Sequence, residues 1–106
     1  MKGEGLKGHL DLLLLAALGE CPAHGYAIAE TLRARSAGAF DLPEGTIYPA
    51  LHRLEEAGLL ASQWSEQNSR RRRVYELTSK GIEALAKRQR EWRAFAHAVQ
   101  GVLASS

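Results

Sequence analysis

The chain has 106 residues, 45% hydrophobic, 25% charged and 7% aromatic. That composition belongs to a folded domain and excludes a disordered tail, while the length allows one small core and not two independent domains. Fourteen Lys and Arg against twelve Asp and Glu leave a net charge of +2, which taken alone argues against a polyanionic partner. The distribution reverses that argument. Residues 1–66 carry five basic side chains (Lys2, Lys7, Arg33, Arg35, Arg53) against nine acidic ones, whereas residues 67–106 carry nine basic against Glu76, Glu83 and Glu91. Four of the cations, Arg70, Arg71, Arg72 and Arg73, are consecutive, and such asymmetry points to a polyanion.

The single cysteine, Cys21, excludes an intrachain disulfide and fits a reducing compartment. The apolar run from Leu10 to Leu18 is interrupted by Asp11 and lacks the basic lead of a signal peptide. It also falls short of the ~20 residues that cross a bilayer. A cytoplasmic location is expected.

In chain order, residues 1–7 read as a frayed, Gly-rich lead. The segment HLDLLLLAALGE then reads as a short helix, with Leu10, Leu13, Leu14, Ala17 and Leu18 on its buried face and Leu12 and Leu15 pointing elsewhere. An apolar surface nearly all round places this helix in the core or against another subunit. Gly19 and Pro22 stop it. A second helix begins near His24 and carries Tyr26, Ile28, Ala29 and Leu32 towards one side; SAGAFDLPEG breaks it. A third runs from about Glu44 to Ala57, with Ile47, Leu51 and Leu54 on one side and Thr46, Pro49, His52, Arg53 and Glu56 on the other. Pro49 is tolerated only near a helix start and is therefore read as lying in the first turn, and Gly58 closes the helix. The runs LLASQWSE and RRVYELT around QNSR read as a β-hairpin. Thr78 then caps a final helix of about 25 residues, roughly 38 Å long.

Helix, helix, helix, hairpin, long helix is the order of a winged helix-turn-helix: a mainly α fold with a small β-hairpin. Residues 1–77 form the DNA-binding domain, its wing at about 59–77, and residues 78–106 form a C-terminal dimerisation helix. A recognition helix lies in the major groove with its N-terminal residues against base edges. Thr46, Pro49, His52 and Arg53 are thereby the groove candidates, with Arg53 suited to guanine and the carbons of Thr46 and Pro49 to thymine methyls. Glu55 and Glu56 repel phosphate and tilt the far end of the helix away. The arginine run reads as a phosphate or minor-groove clamp on the wing, or as a solvated loop. His24 reads as a helix-start residue or a DNA contact. Cys21 with His24 supplies only two ligands, too few for zinc, and Cys21 reads as a small buried hydrophobe. No glycine-rich phosphate loop, paired-His motif or nucleophile with a base is present in the sequence, so no enzyme and no cofactor is expected.

The segments HGYAIAETLRARS, LPEGTIYPALHRLEEAGLL and RRVYELTSKG, in this order and spacing, resemble the PadR family of transcriptional regulators over about residues 10–81. The resemblance implies a homodimeric repressor that answers to phenolic acids, drugs or other small aromatic or lipophilic compounds. The single C-terminal helix is similar to that of the short-form members. Carried over by position, Tyr48 and Pro49 fall on the recognition helix and Tyr26 where a phosphate contact is usual; Arg70–Arg73 fall on the wing, which is basic in the family. Without the resemblance, Tyr26 and Tyr48 read as partly buried aromatics.

Ile82, Leu85, Gln89, Trp92, Ala96, Val99 and Leu103 follow the three-and-four spacing of a coiled-coil seam, flanked by Phe95 and Val102. The seam predicts pairing with a second copy; folding back onto Leu12 and Leu15 is the alternative, and both can occur together. Trp92 either lines an effector pocket with Phe95, Ala96 and Val99, as in short-form members, or fills the interface; the bulk of Phe95 favours the filled interface. A dimeric interaction adaptor on a winged-helix scaffold, with no specific operator, is the competing function.

Overall fold

A computed structural model describes residues 9–67 and 69–104. The expected N-terminal lead, residue 68 and residues 105 and 106, the end of the segment expected as a dimerisation helix, lie outside the described residues. Helix α1 spans Leu10–Ala17, strand β1 Ala23–His24, α2 Gly25–Arg35, α3 Glu44–Glu56, β2 Leu60–Gln67, β3 Arg70–Leu77 and α4 Ser79–Ala104. This is the winged helix-turn-helix read from the sequence, with one strand more. The antiparallel sheet has the order β1-β3-β2. β1 pairs Ala23 with Tyr75 and His24 with Val74, and β2 pairs with β3 from Leu60↔Leu77 to Gln67↔Arg70. Two residues of strand wedged between Pro22 and a helix carry no alternation to read, which is why β1 escapes sequence analysis.

One core holds the three short helices and the base of the wing: Leu14, Leu15, Leu18, Ile28, Leu32, Ile47, Ala50, Leu51, Leu54, Leu60 and Tyr75 are its most buried members. Leu15 is 0% exposed, so it does not face a second subunit as its position opposite the expected face suggested. An eight-residue helix enclosed on several sides buries more than one stripe. Leu12 is half-buried and faces α4. Cys21 is exposed, not buried, because the chain leaves the core between α1 and β1. Among the described residues, no helix is long and apolar enough to cross a membrane.

Helix ends follow local chemistry. α3 closes as a Schellman motif: Gly58, at φ +83°, donates its N–H to Glu55 O at 2.9 Å, and Leu59 N–H donates to Leu54 O at 3.0 Å. α2 ends by the same hydrogen-bond pattern, but its left-handed position is Ala37, at φ 53°. An L-residue with a Cβ is strained there, so Ala37→Gly is expected to stabilise the fold by about 1 kcal/mol, read as a rise in the denaturation midpoint at unchanged m-value.

The start of α3 differs from expectation. Pro43 is its N-cap, with Thr46 N–H and Ile47 N–H donating to the Pro43 carbonyl at 2.9 and 3.2 Å. Pro49 therefore lies inside the helix, one turn beyond its first, and deprives the Gly45 carbonyl of its helical donor. Both residues are exposed, which leaves that carbonyl open to solvent.

Thr78 caps α4 as its sequence position predicts: its Oγ1 accepts from Gly81 N–H at 3.0 Å and donates to Gly58 O at 2.6 Å. Thr78 N–H donates to Leu59 O, and the Lys80 ammonium donates to Ala57 O, at 3.1 and 3.0 Å. The end of α3, the start of the wing and the start of α4 are thus locked into one junction. From it α4 runs out of the globule, giving the molecule a longest dimension of 57 Å. Leu85 and Ala84 pack on the core. Ile82, before them, is exposed; farther along the seam Ala96 is half-buried, while Trp92, Phe95, Val99 and Leu103 are exposed.

Candidate nucleic-acid interface

At about 100° per residue, the buried side of α3 (Ile47, Ala50, Leu51, Leu54) faces away from Gly45, Pro49, His52 and Glu56. These four are exposed and form the outward ridge of the helix. Glu44, Tyr48 and Glu55 flank the ridge on the wing side; Thr46 and Arg53 flank it on the α1 side.

On the wing side lies a groove of about 670 Å³ lined by His24, Tyr26, Glu44, Tyr48, Trp64 and Arg70 to Arg73. It brings together the start of α2, the start of α3 and the free end of the hairpin. Strand alternation splits the arginines between two faces of β3. Arg71 and Arg73 stack on Trp64, their guanidinium carbons 4.7 and 5.2 Å from the ring centroid, an arrangement that stiffens long side chains for about 0.5–1 kcal/mol each. Arg73 Nε also donates to Ser62 Oγ at 2.8 Å, and Ser62 Oγ donates to Glu55 Oε2 at 2.6 Å. Glu55 is thereby bound to the wing. Below this chain Tyr75 is buried, its phenol pushed up by burial and by the nearby Glu55 carboxylate. On the other face Arg72 approaches His24, Nη1 lying 3.3 Å from Nδ1 and 3.2 Å from Nε2. β1 covers β3 only at Val74 and Tyr75, so the arginine stretch is an open, charged strand edge, a form that resists pairing with another strand.

Two close contacts fix the groove's inner wall. Gly25 opens α2 beneath the Tyr48 ring, where a Cβ would lie 2.5 Å from Cζ. His24 caps the same helix, its Nδ1 accepting from Ala27 N–H at 3.2 Å, and its ring stacks at 6.4 Å from that of Tyr26. Burial, then the Arg72 charge, pull the His24 pKa below its ordinary 6.5. The unfolded chain therefore takes up a proton that the folded chain resists, and the His24 contribution, present above pH 6.5, is lost as the pH falls towards the folded value. His24→Asn, which caps without titrating, is expected to remove that part of the melting temperature's decline below pH 6.5, as the difference between the two thermal-denaturation profiles.

The sequence-predicted groove residues do not all converge. Tyr26, Tyr48 and the four arginines share the groove; Pro49 and His52 stand on the adjoining ridge. Thr46 is half-buried on the far flank. Arg53 departs most from expectation: it has an intramolecular partner, its Nη1 and Nη2 donating to Asp11 Oδ2 and Oδ1 at 3.0 and 2.8 Å. That hydrogen bonding holds the Asp11 carboxyl below the usual range against the burial that raises it. Glu44 and Trp64 line the groove without having been singled out as contacts; His24, read as a helix-start residue or a DNA contact, caps α2 and lines the groove as well. For Trp64 the signal was available, since antiparallel pairing places it opposite Arg73.

A second, smaller cavity of about 230 Å³ lies between α1 and α4, lined by His9, Leu12, Arg88, Glu91, Trp92 and Phe95. The Trp92 ring stands edge-on to His9 at 5.3 Å and tilted to Phe95 at 6.1 Å. Ala96 and Val99, expected as walls beside Trp92, are not among its lining residues.

The model of the transcriptional regulator PadR-like family matches residues 14–87. The transcriptional regulator Rv3488 of Mycobacterium tuberculosis is 38% identical over 78 residues, 74% of this chain and 70% of the relative. Among solved structures, a PadR family transcriptional regulator from Eggerthella lenta superposes with a TM-score of 0.81 at 34% identity, covering 94% of this chain and 86% of that one. One from Clostridium difficile superposes with a TM-score of 0.80, also at 34% identity, over 91% and 99%. A family match over most of the chain, on a winged-helix fold that gathers arginines beside α3, makes this a transcriptional regulator of the PadR-like family.

Proposed function

We propose that the chain is a homodimeric repressor that reads an inverted-repeat operator, the ridge of α3 meeting base edges and the wing groove holding the flanking phosphates. The observation that carries this reading is the groove itself: four arginines from β3 converge with Tyr26 and Tyr48 beside the exposed Pro49 and His52. Phosphate contacts set register while base contacts specify, and this division matches the two adjoining surfaces. Residues 9–77 of the structure act as the DNA-binding unit and α4 as the dimerisation helix. Support for the dimer comes from Ile82, Trp92, Phe95 and Val99, large apolar side chains exposed on a helix that runs out of the globule. In the dimer the recognition helices stand about 34 Å apart or a multiple of it.

Release follows when a small aromatic or lipophilic effector enters the cavity against Trp92, walled by His9, Leu12 and Phe95. Selection of bound duplexes from a random pool, followed by titration of the winner and a scrambled duplex, tests the reading. An inverted repeat bound at least 10³-fold more tightly than the scrambled duplex, about the lower limit for specific regulators, is expected. Equal binding would favour the interaction adaptor, and an 11.6 kDa monomer at micromolar concentration in sedimentation would refute the dimer.

A further inference from the structure

The core grips α3 along a single apolar stripe, a contact that resists separation more than rotation about the helix axis. Yet a rotation of about 20° moves an atom some 6 Å from that axis by about 2 Å, enough to break a base contact. On the wing flank Ser62 holds Glu55 of α3; on the opposite flank the device that opposes rotation is an ion pair with a distant part of the chain. Asp11 on α1 accepts two parallel hydrogen bonds from Arg53, 42 residues away on the flank of α3, and a two-pronged guanidinium–carboxylate pair fixes direction as well as distance. The Asp11 side chain is only 19% exposed, and Arg88 of α4 stands 3.8 Å from its Oδ2. One carboxylate therefore faces α3 on one side and α4 on the other.

We propose that Asp11 is a positioning residue for DNA reading: through Arg53 it sets the rotation of α3, with Arg88 as its second neighbour, so that Pro49 and His52 face the duplex. This rests on the DNA-binding role of α3 proposed above. Arg53 then acts through its place in the fold and not by touching guanine. The pair lies open to solvent on its Arg53 side, which is 59% exposed, and ion pairs open to solvent add little to stability, so the main effect is on discrimination.

The test measures affinity for the selected operator and for a scrambled duplex, with melting temperatures recorded beside them, in Asp11→Asn, Arg53→Gln, Arg53→Lys and the Asp11→Asn/Arg53→Gln double variant. Each is expected to lower the operator-to-scrambled ratio about tenfold while remaining folded. The double variant should lose no more than either single one, and Arg53→Lys, which keeps the charge without the two prongs, should not restore the ratio. A ratio lowered by Arg53→Gln but untouched by Asp11→Asn would mean that Arg53 reads DNA directly and would overturn the proposal. So would additive losses, or rescue by lysine. A separate variant, His52→Ala, guards the premise: if it leaves the operator-to-scrambled ratio unchanged while binding to both duplexes persists, the reading of DNA by α3 itself fails.

Discussion

Replacing Arg70, Arg71, Arg72 and Arg73 together by alanine is expected to weaken binding to every duplex, operator and scrambled alike, by about 10³- to 10⁵-fold near 0.1 M salt. The figure follows from counting charges that are free to meet phosphate. Arg73 is committed to Ser62 and to the Trp64 ring, which leaves three arginines per protomer and six in the proposed dimer. Each neutralised phosphate contributes about −0.9 to the log–log salt slope, so the variant's slope should be shallower by about 5. The ratio of operator to scrambled affinity should hardly change, since phosphates carry no sequence. His52→Ala should do the reverse: little change in slope, and a loss of discrimination of about 1–3 kcal/mol where the imidazole meets a base. The fold should tolerate the arginine changes, because Arg70 and Arg71 are exposed and the core lies below Tyr75. A salt slope unchanged in the alanine variant would remove the wing from the interface.

What the sequence disclosed was set by the range of the forces involved. Gly58 and Thr78 act on backbone groups within a few residues, so the Schellman turn and the α4 cap are legible from residue type and position. The apolar spacing of Ile47, Leu51 and Leu54 likewise locates the buried side of α3, and with it the ridge bearing Pro49 and His52. Leu15 was misjudged because α1 is apolar on almost every side, and periodicity cannot rank faces that are all greasy. Pro49 misled for a different reason: proline favours a helix start, but here it stands in the second turn, where the packing of Ile47, Leu51 and Leu54 on the core holds the helix despite the missing N–H. The pairing of Asp11 with Arg53 was beyond any local signal, since only the packing of α1 across α3 brings the two together. Arg53 read alone is a solvent-facing cation on a recognition helix. The arginine run shows the limit from the other side: its charge is evident, but its division between Trp64 and His24 needs the register of β3 against β2 and β1.

Gly81→Ala is expected to destabilise the protein by about 3 kcal/mol or more, although alanine is the better helix former by about 1 kcal/mol. At Gly81 an added Cβ would lie 2.0 Å from the Leu59 carbonyl oxygen and 3.0 Å from its carbon. These are backbone atoms of the turn that ends α3, so no side chain can swing aside. Relief requires α4 to lift from the junction, and lifting stretches Thr78 N–H from Leu59 O, Thr78 Oγ1 from Gly58 O and Lys80 from Ala57 O together. For a domain of this size, 3 kcal/mol corresponds to a fall in melting temperature of about 12–24 °C, compared at fixed protein concentration because the proposed dimer would add to apparent stability. Gly101→Ala supplies the contrast within the same helix. There an added Cβ meets nothing within 4 Å, so only propensity acts, and stability should rise by a few tenths to 1 kcal/mol. Opposite signs at two glycines of α4 would establish that the helix is seated on the end of α3 and not merely joined to it. The same seat joins α4 directly to the end of α3 and the start of the wing through Thr78, Lys80 and Gly81, with no flexible linker between.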